Sequence, residues 1–92
     1  MDVHKIASVL GSDAVVVTNW KRIYNALELD AGELVTLTRR HDIGIITNYD
    51  LFVGILQSWQ SANGKDATVK NLETVLRNLD LVAAAGIHNI EI

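Results

Sequence analysis

The segment Ile55–Leu79 constrains the fold more than any other part of the sequence. Leu56 and Trp59 close one amphipathic helix, and a leucine stripe at helical spacing begins a few residues later. Between the two stripes, Asn63-Gly64 can adopt the positive φ angles that end helices, and Asp66 is placed to cap the next one. The sequence therefore predicts two helices joined by a short turn.

Apolar residues elsewhere in the chain also recur at intervals of three and four, which is the spacing of a buried helix face. We expect six short helices that each contribute one apolar stripe to a shared core, which makes an all-α, six-helix antiparallel bundle. The predicted stripes begin near Val3, Trp20, Leu34, Phe52, Val69 and Leu81. The predicted core includes Trp20, Leu27, Phe52, Leu56, Trp59, Leu72, Leu76 and Leu79.

Two apolar stretches break the helical spacing and are interpreted as connectors. Ser12–Thr18 contains Val15-Val16-Val17, whose β-branched side chains favour an extended, packed segment. Asp42–Ile46 is a second irregular connector, which follows a short third helix that ends near Arg40-His41. The fourth helix then begins at Thr47–Asp50, which is similar to a capping box with Asp in place of Glu.

The composition limits what such a bundle can do. The 92 residues suffice for one domain over 1–92, and the absence of proline favours helices over a loop-rich sandwich. There is no cysteine, which excludes disulfides and thiolate catalysis and fits a cytoplasmic location. A net charge of −3 argues against nucleic-acid binding, since such modules usually carry a basic excess. No apolar run is long enough to span a bilayer, so we expect no membrane contact.

Catalytic and ligand-binding chemistry has little support in the sequence. The three histidines lie on different predicted elements without metal-site spacing, and no serine has a Gly-x-Ser-x-Gly setting. We therefore expect no enzyme activity, no metal and no cofactor. Trp20 and Trp59 lie on apolar stripes, which favours core packing over base stacking. Gly54 lies inside a predicted helix, where a close helix crossing would explain it.

The order of residues in the second half resembles a known family. Leu56-x-x-Trp59, then Gly64, then Ala67-Thr68, then Leu72-x-x-x-Leu76 is similar to the most recognisable stretch of the death domain. The similarity extends loosely over Ile6–Ile87, and the adaptor members, such as the Fas-associated death-domain adaptor, are the most similar type. The two apolar connectors depart from the family pattern.

The resemblance implies a fold and a function. The fold would be the Greek-key, six-helix bundle of the family. The function would be non-catalytic assembly of signalling complexes in apoptosis or innate immunity. The implied partners are other death-domain proteins, which are receptors, adaptors, or proteins linked to caspases or kinases. The resulting homo- or hetero-oligomers raise the effective concentration of the attached enzymes.

Charged residues provide candidate interfaces. Lys21-Arg22 on the second helix and Arg39-Arg40 at the end of the third would form one basic patch if these helices are neighbours. Such patches select and steer partners, although ordinary solvated helix faces are an equally simple explanation. Members of the family assemble through three asymmetric contacts, and the resemblance implies that the first would join this patch to a surface containing Asp50.

The other two implied contacts use residues outside the basic patch. The second would set the end of the fourth helix and its loop, with Gln60 and Lys65, against the following corner at Asp80. The third would set Glu33, near the start of the third helix, against the connectors. Contacts between two different patches can propagate from molecule to molecule.

Two other classes of function are alternatives. A small DNA-binding or regulatory domain could place a helix-turn-helix over Trp20–Arg40, and its binding to duplex DNA would depend on salt. A small helical enzyme would need a convergent set of acid–base residues, which the sequence does not show.

Overall fold

A computed structural model describes residues 1–81, and every regular element within that range is helical. The predicted all-α fold is confirmed for these residues. The predicted helix over Leu81–Ile87 lies outside the described residues, apart from its first position. The elements are α1 (Val3–Gly11), α2 (Ala14–Thr18), α3 (Trp20–Ala26), α4 (Ala31–Asp42), α5 (Asn48–Asn63), a 3-10 turn at Gly64–Asp66, and α6 (Val69–Asn78).

The first connector is a helix, and the prediction of an extended segment there was wrong. The Asp13 carboxylate accepts hydrogen bonds from the backbone N–H groups of Val15 and Val16, at 3.0 and 3.2 Å. This cap satisfies donors that the first turn of a helix leaves unpaired. Val16 is buried in the core while Val15 is 60% exposed. Capping and the burial of one side chain therefore override the β-branched preference of the segment.

Five of the six α-helices in residues 1–81 begin with a side-chain cap, and α3, which follows Asn19, does not. Thr47 and Asp50 form the predicted capping box at the start of α5. At the start of α6, however, the cap is Thr68, whose hydroxyl accepts from the Asn71 N–H at 3.1 Å, rather than the predicted Asp66. Asp66 lies in the 3-10 turn, and its carbonyl oxygen accepts from the Asn71 side chain at 2.6 Å.

The core lies between α1, α3, α5 and α6, and α1 packs along α5. Seven of the eight side chains predicted for the core are buried there: Trp20, Leu27, Phe52, Leu56, Trp59, Leu72 and Leu76. The eighth, Leu79, is only half-buried because it occupies the C-cap position of α6, beyond the last helical turn. Leu81 takes the buried place at this corner.

Helix α4 contributes no fully buried residue, but its apolar stripe packs against the edge of the core through Leu34 and Leu37. The half-buried side chains of α4 are Leu34, Leu37, Thr38 and His41, which recur at intervals of three and four along one edge of the helix. The helix touches α3 and α5 along this narrow edge. Its other apolar side chain, Val35, is 71% exposed. The outer face of α4 is therefore available as a surface.

Candidate functional site

The predicted basic patch forms at the outer face of α4, where α3 and α4 meet. Lys21 from α3 and Arg39 from α4 line one groove of about 600 Å³, together with Val35 and Ile43. Arg40 lines an adjoining concavity of about 410 Å³. We use the name α4 surface for the exposed cationic and apolar residues around these two hollows, which Asp42 and Thr36 also line: Lys21, Val35, Arg39, Arg40, Ile43 and Ile45.

Arg22 was predicted to belong to the basic patch, but its side chain lies away from both hollows. The Arg22 guanidinium donates a hydrogen bond of 3.0 Å to the Asn19 side chain, and Arg22 does not line either hollow. It stands next to Lys21 in the sequence, but neighbouring positions on a helix point about 100° apart. The structure thus brings together three of the four predicted cations.

The apolar part of this surface comes from the way α4 ends. Gly44 has φ +77°, and its N–H donates to the His41 carbonyl oxygen at 3.1 Å, while the Ile45 N–H donates to the Arg40 carbonyl oxygen at 3.0 Å. This pair of bonds is a Schellman motif, for which glycine supplies the left-handed residue. Ile43 and Ile45 flank that glycine and remain 60% and 67% exposed.

These isoleucines were not predicted as surface residues, because Asp42–Ile46 was interpreted as an irregular apolar connector. The signal was present in the Ile-Gly-Ile order directly after a helix with cations in its last turn. That order is typical of a glycine C-cap.

The α4 surface is anchored to the core behind it. The edge of the Trp20 ring meets the His41 ring at a centroid distance of 5.8 Å, and the Lys21 ammonium lies 5.8 Å from the Trp20 centroid. His41 Nε2 also lies 2.7 Å from the Asn48 side-chain oxygen, which links the end of α4 to the start of α5. These contacts link the last turn of α4, which also carries Arg39 and Arg40, to α3 and α5.

The remaining predicted interface residues lie apart from the α4 surface. The Asp50 carboxylate is engaged in the capping box of α5, where it accepts from the Thr47 N–H at 3.3 Å. Glu33, in the first turn of α4, accepts a 3.5 Å hydrogen bond from Ser58 on α5. Gln60 is half-buried near the end of α5, and Lys65 is exposed in the 3-10 turn.

Asp80 lies just beyond the end of α6. It adopts φ +61°, and its N–H donates to the Arg77 carbonyl oxygen at 3.0 Å while the Leu81 N–H donates to the Leu76 carbonyl oxygen at 2.8 Å. Asp80 is therefore the left-handed residue of the Schellman motif that ends α6. Its side chain is exposed at this corner.

A metal-ligand group and a membrane-spanning helix were both sought among the described residues. In residues 1–81, no three histidine, aspartate or glutamate side chains are grouped so that they could hold a metal ion. Of the helices in this range, none is both long and apolar enough to cross a bilayer. His4, one of the three histidines, lies 2.8 Å from the Tyr49 hydroxyl and stacks on that ring.

Comparison with protein families places the chain. The family model described as "Death domain" matches residues 4–87, which is nearly the whole chain. The chain belongs to the death-domain family. The comparisons with curated proteins and with solved structures gave no match. Death domains are interaction modules of signalling proteins and are generally non-catalytic, so the α4 surface of this death domain is a candidate for protein docking rather than for chemistry.

Proposed function

We propose that this death domain assembles signalling complexes by binding other death domains through its α4 surface. The observation that carries the proposal is the shared groove of Lys21 and Arg39, two exposed cations from different helices beside exposed apolar side chains. Cations steer a partner and fix its register, and apolar contacts at the centre contribute affinity. The proposed partners are receptors, adaptors, or caspase- or kinase-linked proteins that carry a death domain.

The proposal extends to the pathway and the compartment. Apoptosis and innate immunity are the settings in which we place this module, and the cytoplasm is the compartment. We propose a non-catalytic, adaptor-like role for the domain, in which assembly raises the local concentration of attached enzymes. The family resemblance and the absence of cysteine from the sequence support this placement.

Two further contacts complete the proposed assembly. One sets Gln60 and Lys65, at the end of α5 and in the 3-10 turn, against the corner formed by Asp80 in another molecule. The other uses Glu33 at the start of α4. Glu33, Lys65 and Asp80 are exposed, while Gln60 is half-buried, so truncation of Gln60 has the larger effect on the fold itself.

A charge-reversal series against a panel of purified death domains tests this proposal. Arg39→Glu, alone and with Arg40→Glu, is compared with Lys70→Glu, which makes the same charge change on the exposed face of α6. We expect the Arg39 variants to lose binding at least about tenfold while Lys70→Glu binds like wild type. Melting curves check that every variant is folded; we expect the arginine variants to melt a few degrees lower, because they remove cations from the last turn of α4, and Lys70→Glu not to melt lower, because it places an acid in the first turn of α6.

If Arg39→Glu/Arg40→Glu binds every partner as tightly as wild type, the α4 surface is not the docking surface. Random duplex DNA serves as the control ligand, since the helix-turn-helix alternative predicts binding that weakens steeply with salt. Binding to DNA without binding to any death domain would replace the proposed function with that alternative.

A further inference from the structure

The end of α5 carries the one asparagine–glycine pair of the sequence, Asn63-Gly64. Both residues are exposed to solvent. Asparagine is a thermolabile residue because its side-chain amide can be attacked by the backbone nitrogen of the residue that follows. Glycine in the following position favours this attack, since it has no Cβ atom to obstruct the approach of the backbone. The pair is therefore a candidate site of deamidation.

Deamidation at this pair proceeds through a cyclic imide. The Gly64 amide nitrogen bonds to the side-chain carbonyl carbon (Cγ) of Asn63, and the bond from Cγ to the side-chain nitrogen breaks. The proton of the Gly64 amide leaves with that nitrogen as ammonia. Water then opens the imide at either carbonyl group, which gives aspartate or isoaspartate at position 63. Water is the only co-reactant, and a neutral side chain becomes a carboxylic acid.

The folded structure holds both reacting groups in other contacts. The Gly64 N–H donates a hydrogen bond to the Gln60 carbonyl oxygen, which closes the last turn of α5. The Asn63 side-chain amide donates to the Trp59 carbonyl oxygen at 3.0 Å. Asn63 itself keeps a helical backbone, with φ −117° and ψ −7°. Because the Gly64 nitrogen must turn toward the Asn63 side chain before the imide can close, both hydrogen bonds must open first.

The last turn of α5 can open without disruption of the core. Trp59 is the last buried residue of the helix, and the residues from Ser61 to Gly64 are all exposed. A Cβ atom added at Gly64 would meet no atom of the described residues within 4 Å, so the backbone there is free to turn. Helix ends open locally at a small cost in free energy, far below that of global unfolding. The reaction is therefore accessible from a frayed but otherwise folded domain.

We propose that Asn63-Gly64 is a site of spontaneous deamidation whose rate is set by opening of the last turn of α5. The inference goes beyond the proposed function, because it holds whether or not the domain binds a partner. It makes the end of α5 a site of covalent change that accumulates with the age of the molecule.

Either product weakens the turn in which it forms. An aspartate carboxylate at position 63 cannot donate to the Trp59 carbonyl oxygen, and it lies at the negative end of the α5 dipole. Isoaspartate adds a methylene group to the main chain between α5 and the 3-10 turn. The modified corner between α5 and α6 is therefore more acidic and less tightly held than the original one.

Ageing of the full 92-residue chain at mildly alkaline pH tests the inference. Native protein is compared with protein unfolded in guanidinium chloride, and conversion at each asparagine is followed by peptide mass spectrometry and by an isoaspartate-specific methyltransferase. We expect Asn63 to convert about tenfold more slowly in the native protein, because two hydrogen bonds must open. Asn78 is the internal control: it is exposed and ends α6, but leucine follows it, so it should convert far more slowly than Asn63 in both samples.

The variant Ala62→Gly tests control by the helix end, because it weakens the last turn of α5 and leaves both reacting residues in place. Ala62 is exposed, so the native rate at Asn63 should rise by up to about fivefold while the unfolded rate stays the same. Melting curves confirm that the variant is folded.

Three results would overturn the inference. A native rate equal to the unfolded rate would show that the two hydrogen bonds do not protect Asn63. Native protein that keeps Asn63 intact through many half-lives of the unfolded chain would show that the folded domain has no deamidation site there. A native rate that Ala62→Gly leaves unchanged would show that the last turn of α5 does not control the reaction.

Discussion

Gly11, at the end of α1, lies against the backbone of Tyr49 at the start of α5. A Cβ atom on residue 11 would lie 3.1 Å from the Tyr49 amide nitrogen and 3.2 Å from the Asn48 carbonyl carbon. Both neighbours are backbone atoms inside or beside a capped helix, so neither can move away easily. This contact sets how closely α1 can pack along α5, which is the central pair of the bundle.

Replacing two different glycines by alanine should therefore change the free energy of unfolding in opposite directions. Gly11→Ala should destabilise the fold by about 1–3 kcal/mol through overpacking. Gly54→Ala should stabilise it by about 0.5–1 kcal/mol, since a Cβ there meets nothing within 4 Å and glycine is a poor helix former. Chemical denaturation of both variants measures the difference. Destabilisation by Gly54→Ala would show that the backbone at residue 54 is needed for a contact.

The left-handed residue at the end of α6 offers a second test. Asp80→Gly should stabilise the domain by about 1 kcal/mol, because the left-handed conformation is unfavourable for residues with a Cβ. Asp80→Ala is the matched control: it removes the same carboxylate but keeps the Cβ. Thermal melts should rank the glycine variant above wild type and above alanine. If glycine and alanine melt together, the backbone at Asp80 is not left-handed.

The same pair of variants separates stability from docking at this corner. Asp80→Gly should maintain or increase the stability of the domain. It also removes the charge that is proposed to contact Gln60 and Lys65 of another molecule. Weaker partner binding by both variants, with opposite changes in melting temperature, would support a direct contact of the carboxylate. Unchanged binding by both would remove Asp80 from the proposed interface.

Tyr24 should make the domain sensitive to alkaline pH. Its hydroxyl donates a 2.6 Å hydrogen bond to the Asp30 carbonyl oxygen, and burial raises the pKa of this phenol, aided by the carboxylates of Glu33 and Asp30. A group with a raised pKa in the folded state holds its proton more tightly there. Its contribution to stability is present below the ordinary pKa of about 10 and is lost as the pH rises above that value.

The variant Tyr24→Phe isolates this effect. It should lower stability by about 1–2 kcal/mol at neutral pH, because the Asp30 carbonyl oxygen loses its donor. The free energy of unfolding of the variant should also fall less than that of wild type when the pH is raised beyond about 10. Parallel curves for the two proteins over this pH range would show that ionisation of Tyr24 is not coupled to unfolding.

The indole of Trp59 should be essential to the core. It is 5% exposed and lies near the end of α5, in the core that α5 shares with α6. Trp59→Ala should destabilise the domain by about 3–5 kcal/mol, which is a large part of the stability of a chain this size. Urea denaturation followed by circular dichroism measures the loss. A change in melting temperature of only a degree or two would contradict a core role.

Sequence reasoning succeeded where a single local rule decides the structure. The hairpin from Trp59 to Leu72 follows from helical spacing around a glycine stop, and Gly64 indeed has φ +55° at the end of α5. The capping box of Thr47 and Asp50 follows from two residues at a fixed separation. These signals depend on residues that are close in sequence, so they hold regardless of how the rest of the chain packs.

Reasoning from the sequence failed where tertiary packing competes with propensity. Val16 is buried in the shared core, and its burial together with the Asp13 cap turns a β-branched segment into α2. The outward position of Val35 depends on how α4 rests on α3 and α5, which its own sequence does not specify. Gly54 was expected at a close helix crossing, yet that contact occurs at Gly11, because the crossing point depends on how two helices pack.

The charged residues of the α4 surface could be predicted from the sequence, but its exposed apolar residues could not. Lys21 and Arg39 could be placed together once their helices were assumed to be neighbours. Ile43 and Ile45 could not, because apolar residues in a connector are usually assigned to the core. Their exposure depends on the backbone turn at Gly44, which directs both side chains away from the bundle.

The most direct test of the docking account is to map the bound surface by NMR. A ¹⁵N-labelled sample of this death domain is titrated with an unlabelled death domain that binds it, and the amide shifts are followed. The account predicts that the largest changes occur at Lys21, Val35, Arg39 and Ile43 on the α4 surface. Changes confined to α6 and the 3-10 turn at Gly64–Asp66, with the α4 surface unaffected, would contradict it.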